Sequence, residues 1–179
     1  MPSLTNALVI GGAQCVWDDL EALGEWDAVV FACNDAASVY PGHLDHFCTL
    51  HPEKLERWRR TRQDKGLNTD FEAHSHKRRA LCGDVRLHTE WGGSSGLFCV
   101  TVARNLGFAR IVLCGVPLDA CPHFDRPKDW VDAHHYRRHW QNRLDEFSPF
   151  TRSMSGWTRE LLGPPDDEWL GRSRSKGTP

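Results

Sequence analysis

The sequence has no apolar run long enough to cross a membrane, and its N-terminus lacks the charged stretch and apolar core of a secretion signal. It has no excess of one charge either. Lys and Arg number 22 against 24 Asp and Glu, a net charge of -2, so no global basic field points to nucleic acid or a lipid surface. No C-x-x-C pair occurs, and the seven cysteines are an odd number scattered along the chain. Cys33, Cys48, Cys99 and Cys114 sit inside apolar runs. That pattern excludes a disulfide framework and a structural zinc knuckle, and predicts reduced, mostly buried thiols in a cytoplasmic protein. The H-E-x-x-H and complete G-x-G-x-x-G signatures are missing. No D-x-D pair is present, since Asp18-Asp19 falls in an expected helix and Asp166-Asp167 in an expected tail. Metal independence and the absence of a bound cofactor are the resulting expectations. No internal repeat and no domain-scale linker breaks the chain.

What is present centres on Trp91-Gly92-Gly93-Ser94-Ser95-Gly96, followed by an apolar segment from Leu97 to Leu106, Gly107, and the run Ile111-Val112-Leu113-Cys114. The Gly/Ser loop opens a helix, whose first free amides Ser94 or Ser95 can cap. Gly107 suits a left-handed helix end, and Ile111–Cys114 reads as a parallel strand buried on both faces. Such a helix start concentrates unpaired N–H groups and partial positive charge, which suits an anion. The alternative is that the glycines only let helix and strand pack closely.

Taken in order, Ala7–Ile10 is a strand entering the turn Gly11-Gly12-Ala13, and Trp17–Leu23 a helix stopped by Gly24. Ala28–Cys33 is a second strand ending at Asn34-Asp35. Polar residues there face the ligand crevice of an open sheet, although Asn34 would also serve as the cap of a helix over 36–39. His46–Leu50 is a third strand, and a helix follows from Pro52. Its Arg57, Arg59, Arg60 and Arg62 read as a solvated basic face. His43, His46 and His51 resemble metal spacing only loosely, because His46 and His51 fall on opposite faces of the strand. Phe71–Ala73 and Val85–His88 read as strands, with 74–79 a cationic surface loop. The loop 117–128 has the length of a lid or substrate contact. Asp129–Phe147 is expected as one polar, aromatic helix, and Thr151–Leu162 as a strand or turn plus a helix. The expectation is an α/β protein: a single Rossmann-like domain over 1–162, its mostly parallel sheet flanked by helices, and a loosely held polar tail over 163–179.

Three segments, spanning roughly residues 7 to 140, resemble the bacterial sialyltransferases of glycosyltransferase family 42. They are the first glycine turn with Phe31-Ala32-Cys33-Asn34, then Ser94-Ser95-Gly96-Leu97 through Leu106-Gly107 and Ile111–Val116, and finally His135-Tyr136-Arg137-Arg138-His139. The resemblance implies a nucleotide-sugar donor held by Gly12, Asn34, Ser94, Ser95 and Gly96, with His135 or His139 as catalytic base. The sequence departs from that family in three places. Its first turn is Gly12-Ala13-Gln14-Cys15, the Asp expected after the central strand is Pro117, and the family's tyrosine pair is missing, Tyr40 and Tyr136 being the only tyrosines.

Three functions follow. The first is a metal-independent, nucleotide-sugar-dependent glycosyltransferase-like protein with a neutral histidine as general base and backbone amides steadying the leaving phosphate. Arg126 or Arg137 are possible assisting cations. The second is a non-catalytic nucleotide or small-molecule binding protein of the same fold. The third is a zinc hydrolase built on His134, His135 and His139, the last two at i and i+4 of the expected helix. The expected partner is a nucleotide-sugar or nucleotide ligand, with neither nucleic acid nor a membrane span.

Overall fold

The computed structural model describes residues 6–77, 84–89 and 93–172. Trp91 and Gly92, the opening of the Gly/Ser loop, lie outside the described residues, as do Cys82, Arg78 and Arg79. Apolar residues on both faces dictate where the central strands go. β1 (Asn6–Ile10) pairs in parallel with β2 (Val29–Cys33) on one side and β6 (Arg110–Cys114) on the other. Beyond β2 the sheet continues through β3 (His46–Cys48), β4 (Glu72–Ser75) and β5 (Arg86–Leu87), and beyond β6 it ends at β9 (Thr151–Ser153). All these pairings are parallel. The chain therefore builds outward from β1 to β5 and returns to β6 beside β1. The strand order reverses between β1 and β6, the place where ligands bind in open α/β sheets.

Alternation along the strands splits the interior into two cores. Ala7, Val9, Phe31, Ile111 and Leu113 face one layer, while Leu8, Ile10, Ala32, Phe47 and Val112 face the other. The first layer contains α4 (Ser95–Asn105), buried from Gly96 through Ala103, as its apolar sequence requires. Trp140 and Phe147 close over it from the C-terminal third. Full burial of side chains such as Leu97 and Phe98 contributes about 1.5–3 kcal/mol each. The second layer contains α1 (Val16–Leu23), α2 (Asn34–Val39) and α3 (Leu55–Asp64), the last preceded by a 3-10 turn over Pro52–Lys54. No helix among the described residues is long and apolar enough to cross a membrane.

Four segments differ from expectation. Residues 129–147 do not form one helix. They form a 3-10 segment over Val131–Tyr136, then α5 (Arg137–Asn142) and α6 (Leu144–Phe147). The loop 117–128 contains nearly all of a hairpin, in which β7 (Pro122–His123) pairs antiparallel with β8 (Arg126–Asp129). Arg62 is not on a solvated face. It is completely buried and donates to the carbonyls of Ala37, Tyr40 and Asn68 and to Asn68 Oδ1, at 2.6–3.1 Å. The last helix, α7 (Gly156–Leu162), is followed through Arg172 by a docked segment rather than a loose one, and the rest of the expected tail, 173–179, lies outside the described residues. Leu170 is buried in the second core and its carbonyl accepts from Trp26 Nε1, while Trp169 lies under Arg152 with the guanidinium 3.9 Å from the ring centre. Arg172 donates to the carbonyls of Leu23 and Glu25. The six described cysteines are free thiols, four of them buried.

Candidate functional site

A cleft of about 210 Å³ opens at the C-terminal ends of the strands, at the switch point. The turn after β1 supplies Gly11, Gly12 and Ala13, and the end of β2 supplies Cys33, Asn34 and Asp35. The segment after β3 adds Leu50 and His51, and the start of α4 adds Gly93, Ser94, Ser95 and Gly96. The loop after β6 brings Gly115 to Asp119 and then Cys121 to His123, with Trp130 and Tyr136 as an aromatic wall. Gly12, Asn34, Ser94, Ser95 and Gly96, the five residues nominated for donor contacts, thus come from three separate loops to one cleft.

They are also wired to one another. Asn34 Nδ2 donates to Ser95 Oγ at 3.0 Å, and Thr49 Oγ1 donates to Asn34 Oδ1 at 2.9 Å. Asn34 therefore does not cap α2 with its side chain; it bridges β2, β3 and α4. Ser94 is the cap, its Oγ accepting from Leu97 N at 3.3 Å and from Trp140 Nε1 at 3.3 Å. A Cβ on Gly96 would sit 2.7 Å from Val116 Cγ1, so close packing of helix against strand end accounts for glycine there, in a residue that also lines the cleft. Asn34 (φ 51°) and Leu118 (φ 52°) are the non-glycine residues at positive φ among the described residues, and both line this cleft. Asparagine adopts this conformation readily, whereas Leu118 carries strain of about 1–3 kcal/mol, of the kind that concentrates at functional sites.

The charges around the cleft are paired. Arg126 donates to Asp35 Oδ2 at 2.8 Å, bringing the hairpin onto the end of β2, and Trp58 Nε1 donates to Asp35 Oδ1 at 2.8 Å. Arg137 donates to Asp119 Oδ1 at 2.6 Å, and Trp157 N donates to Asp119 Oδ2 at 3.1 Å. Both arginines proposed as assisting cations therefore already hold carboxylates of the cleft wall. Asp19, buried in α1, accepts from Gly115 N at 2.8 Å and Ser155 Oγ at 2.7 Å and fixes the turn after β6.

Of the histidines, His135 and His139 are both exposed and outside the cleft lining. His135, with a side chain 67% exposed, lies 3.8 Å from Asp132; the His139 ring packs over Gly93, where a Cβ would meet it at 2.6 Å. A 3-10-to-α junction separates the two, so the i, i+4 face that a zinc site would use is not formed by a single helix. Between them, Tyr136 does line the cleft and lies against Trp130, with ring centres 5.3 Å apart. Two other histidines line the cleft. His51 lies 3.4 Å from Glu53. His123, brought against the first glycine turn by the Ala13–His123 bridge, has a buried Nδ1 without a hydrogen-bond partner. Burial, then the nearby Arg126 cation, hold His123 below the ordinary histidine range.

The sequence places Asp35 beside Asn34 at the crevice, where it is found, but marks neither Asp119 nor His123 as a wall residue. Asp119 and His123 sit in the long loop after β6, whose length was the only signal for either.

No protein-family model matches the chain, and no curated protein sequence does. Solved structures match its fold. Among them are complexes of the sialyltransferase CstII, from Campylobacter jejuni in the first two. The complex with the substrate analogue cytidine-5'-monophosphate has a TM-score of 0.61 at 12% identity, covering 95% of this chain and 88% of that one. The complex with CMP-3FNeuAc gives 0.62 at 12%, with the same coverage. The complex with a trisaccharide acceptor and CMP gives 0.62 at 13%, covering 94% and 88%. At this identity the likeness is one of fold.

Proposed function

We propose that the cleft binds the nucleotide of a nucleotide-sugar donor and that the protein transfers the sugar to an acceptor hydroxyl. The observation that carries this reading is the convergence of Gly12, Asn34, Ser94, Ser95 and Gly96 on one cleft at the switch point of a sheet shared with a CMP-bound sialyltransferase. In this reading the backbone amides of Ser95 and Gly96, at the start of an eleven-residue helix without an acidic side chain in its first turn, meet the phosphate. Trp130 and Tyr136 give the base or the sugar an apolar wall. As the bond from the anomeric carbon to the phosphate oxygen breaks, the amides take up the charge on the leaving nucleotide. The acceptor oxygen attacks that carbon and its proton passes to a histidine. No step in this scheme calls for a metal.

His123 is the histidine we assign as base. It lines the cleft, its Nδ1 has no hydrogen-bond partner, and burial holds its pKa below the ordinary histidine range, which favours the neutral ring a base needs at pH 7. His135 and His139 are the alternative, carried by the segment that delivers Tyr136. The test is turnover of a CMP-sugar with a soluble oligosaccharide acceptor. His123→Gln should keep nucleotide affinity and lose roughly 10²–10⁴ in kcat, the usual share of a positioned base. The parent's kcat/KM should fall only as pH drops through a pKa below 6.5, since protonation removes the base. Loss of turnover in His135→Ala or His139→Ala, with His123→Gln active, would move the base to that pair. Saturable nucleotide binding without turnover would favour the non-catalytic reading, which the exposure of His135 and His139 supports.

A further inference from the structure

A second cluster of chemistry-bearing side chains lies at the other end of the strands. Glu72 and His74 are two apart on β4 and so share one face of the sheet. His46, the first residue of β3, is in register with Glu72. Strand pairing thus gathers three side chains that are far apart in sequence or hidden in a polar run. His46 Nδ1 and His74 Nε2 are 3.0 Å apart, and Glu72 Oε2 is 3.6 Å from the first and 3.7 Å from the second. A triangle with those sides has its circumcentre about 2.0 Å from every corner, which is the bond length of zinc to imidazole nitrogen and carboxylate oxygen. Among the described residues this is the group whose ligand atoms have one-ion spacing, and His134, His135 and His139 are not part of it.

We propose that His46, Glu72 and His74 bind a divalent first-row transition-metal ion, zinc being the best match to two imidazoles and a carboxylate, with water completing the coordination. The surrounding contacts fit this role. His74 Nδ1 lies 3.0 Å from His88 Nε2, so a His74 ring that donates from Nδ1 turns a free Nε2 lone pair toward the ion. That same tautomer accepts from His46 Nδ1–H in the empty site. Binding then requires only that the His46 proton move to its other nitrogen, with no net proton released. Arg86 holds Glu72 Oε1 at 3.2 Å and leaves Oε2 to face the histidines. His74 is completely buried, whereas the Glu72 side chain is 42% exposed, so the ion has a protein floor and a path from solvent. Burial, with the neighbouring His46 and His88, pushes His74 down to about 3, and burial also lowers His46; both rings are neutral at pH 7, as ligands must be. The ion would tie β3 to β4 where the sheet thins to the two-residue β5. It would not take part in the cleft chemistry, since His46 and Glu72 begin their strands while the cleft lies at the strand ends.

The test uses the purified full chain, stripped of metal by a chelator and titrated with Co²⁺ alone, then with Zn²⁺ in competition. The expected result is saturation at one ion per chain, visible d–d absorption of a low-coordinate site, displacement by Zn²⁺, and a rise in Tm with either ion. Glu72→Gln, at a half-exposed position that does not endanger folding, should weaken binding at least about tenfold, and His46→Asn with it should abolish the absorption. A His134→Ala, His135→Ala, His139→Ala triple variant should bind as the parent does. The proposal is overturned if the parent takes up no stoichiometric ion, if Glu72→Gln with His46→Asn binds undiminished, or if the triple variant loses the ion.

Discussion

Asn34 is the residue whose replacement reports most on how the cleft is held. Its side chain makes two hydrogen bonds, to Ser95 on α4 and from Thr49 beyond β3, and its backbone is left-handed at φ 51°. In Asn34→Ala both bonds go, at about 0.5–1.5 kcal/mol each. Alanine also holds the left-handed conformation at a cost of about 1 kcal/mol or more. The expected loss is roughly 2–4 kcal/mol of unfolding free energy. Asn34→Gly loses the same bonds without the strain, and should unfold about 1 kcal/mol later than Asn34→Ala despite the extra chain entropy of glycine. Asn34→Asp keeps an acceptor for Thr49 and can accept from Ser95 Oγ, so its stability should stay within about 1 kcal/mol of the parent. Its carboxylate would nevertheless stand where the phosphate is proposed to sit, and nucleotide affinity should collapse. Urea unfolding curves for the four proteins, with calorimetric titration of CMP into parent and Asn34→Asp, read all of this. If Asn34→Ala unfolds within about 0.5 kcal/mol of the parent, the bridge between β2, β3 and α4 does not carry load and this reasoning fails.

Arg62→Met should destabilise the chain by about 3–5 kcal/mol, because three carbonyls and the Asn68 side chain lose a buried charged donor; an unfolding midpoint close to the parent's in urea would contradict that. Truncation after Gly163 should cost about 2–5 kcal/mol or leave the protein insoluble, since Leu170 and Trp169 cover the second core; a truncated chain with the parent's Tm would mean that their docking contributes nothing.

The parts of the fold that the sequence discloses are those decided by local pattern. Ala7–Ile10 and Ile111–Cys114 have no polar face, so only a two-sided parallel sheet can accept them, and Gly24 and Gly107 end their helices at positive φ as glycine readily does. A serine cap is legible because a hydroxyl before an apolar helix has little else to do, but the sequence leaves Ser94 and Ser95 equal and the structure uses Ser94. What stayed hidden depends on partners distant in sequence. Arg62 looks like its neighbours Arg59 and Arg60, and nothing nearby reveals that carbonyls 22 and 25 residues earlier need a donor. His74 opens a run that reads as a cationic surface loop. It is a buried strand residue only because His46, 28 residues before it, and His88, 14 after, provide its hydrogen bonds. In the cleft, Asn34, Ser95 and Gly96 were legible as strand-end and helix-start positions. His123 was not, because a two-residue strand beginning with proline carries no periodicity to announce it.

The central claim is that the Gly/Ser helix start and the strand-end loops form a nucleotide site, and calorimetric titration of CMP into the parent, Ser95→Ala and Gly96→Val tests it most directly. The parent should bind one equivalent saturably. Ser95→Ala should bind more weakly by a single hydrogen bond, about 0.5–1.5 kcal/mol, and Gly96→Val should not bind, because its side chain drives the helix start away from Val116. No saturable binding by the parent, or equal binding by all three proteins, would reduce the cleft to a packing turn and contradict the proposed function.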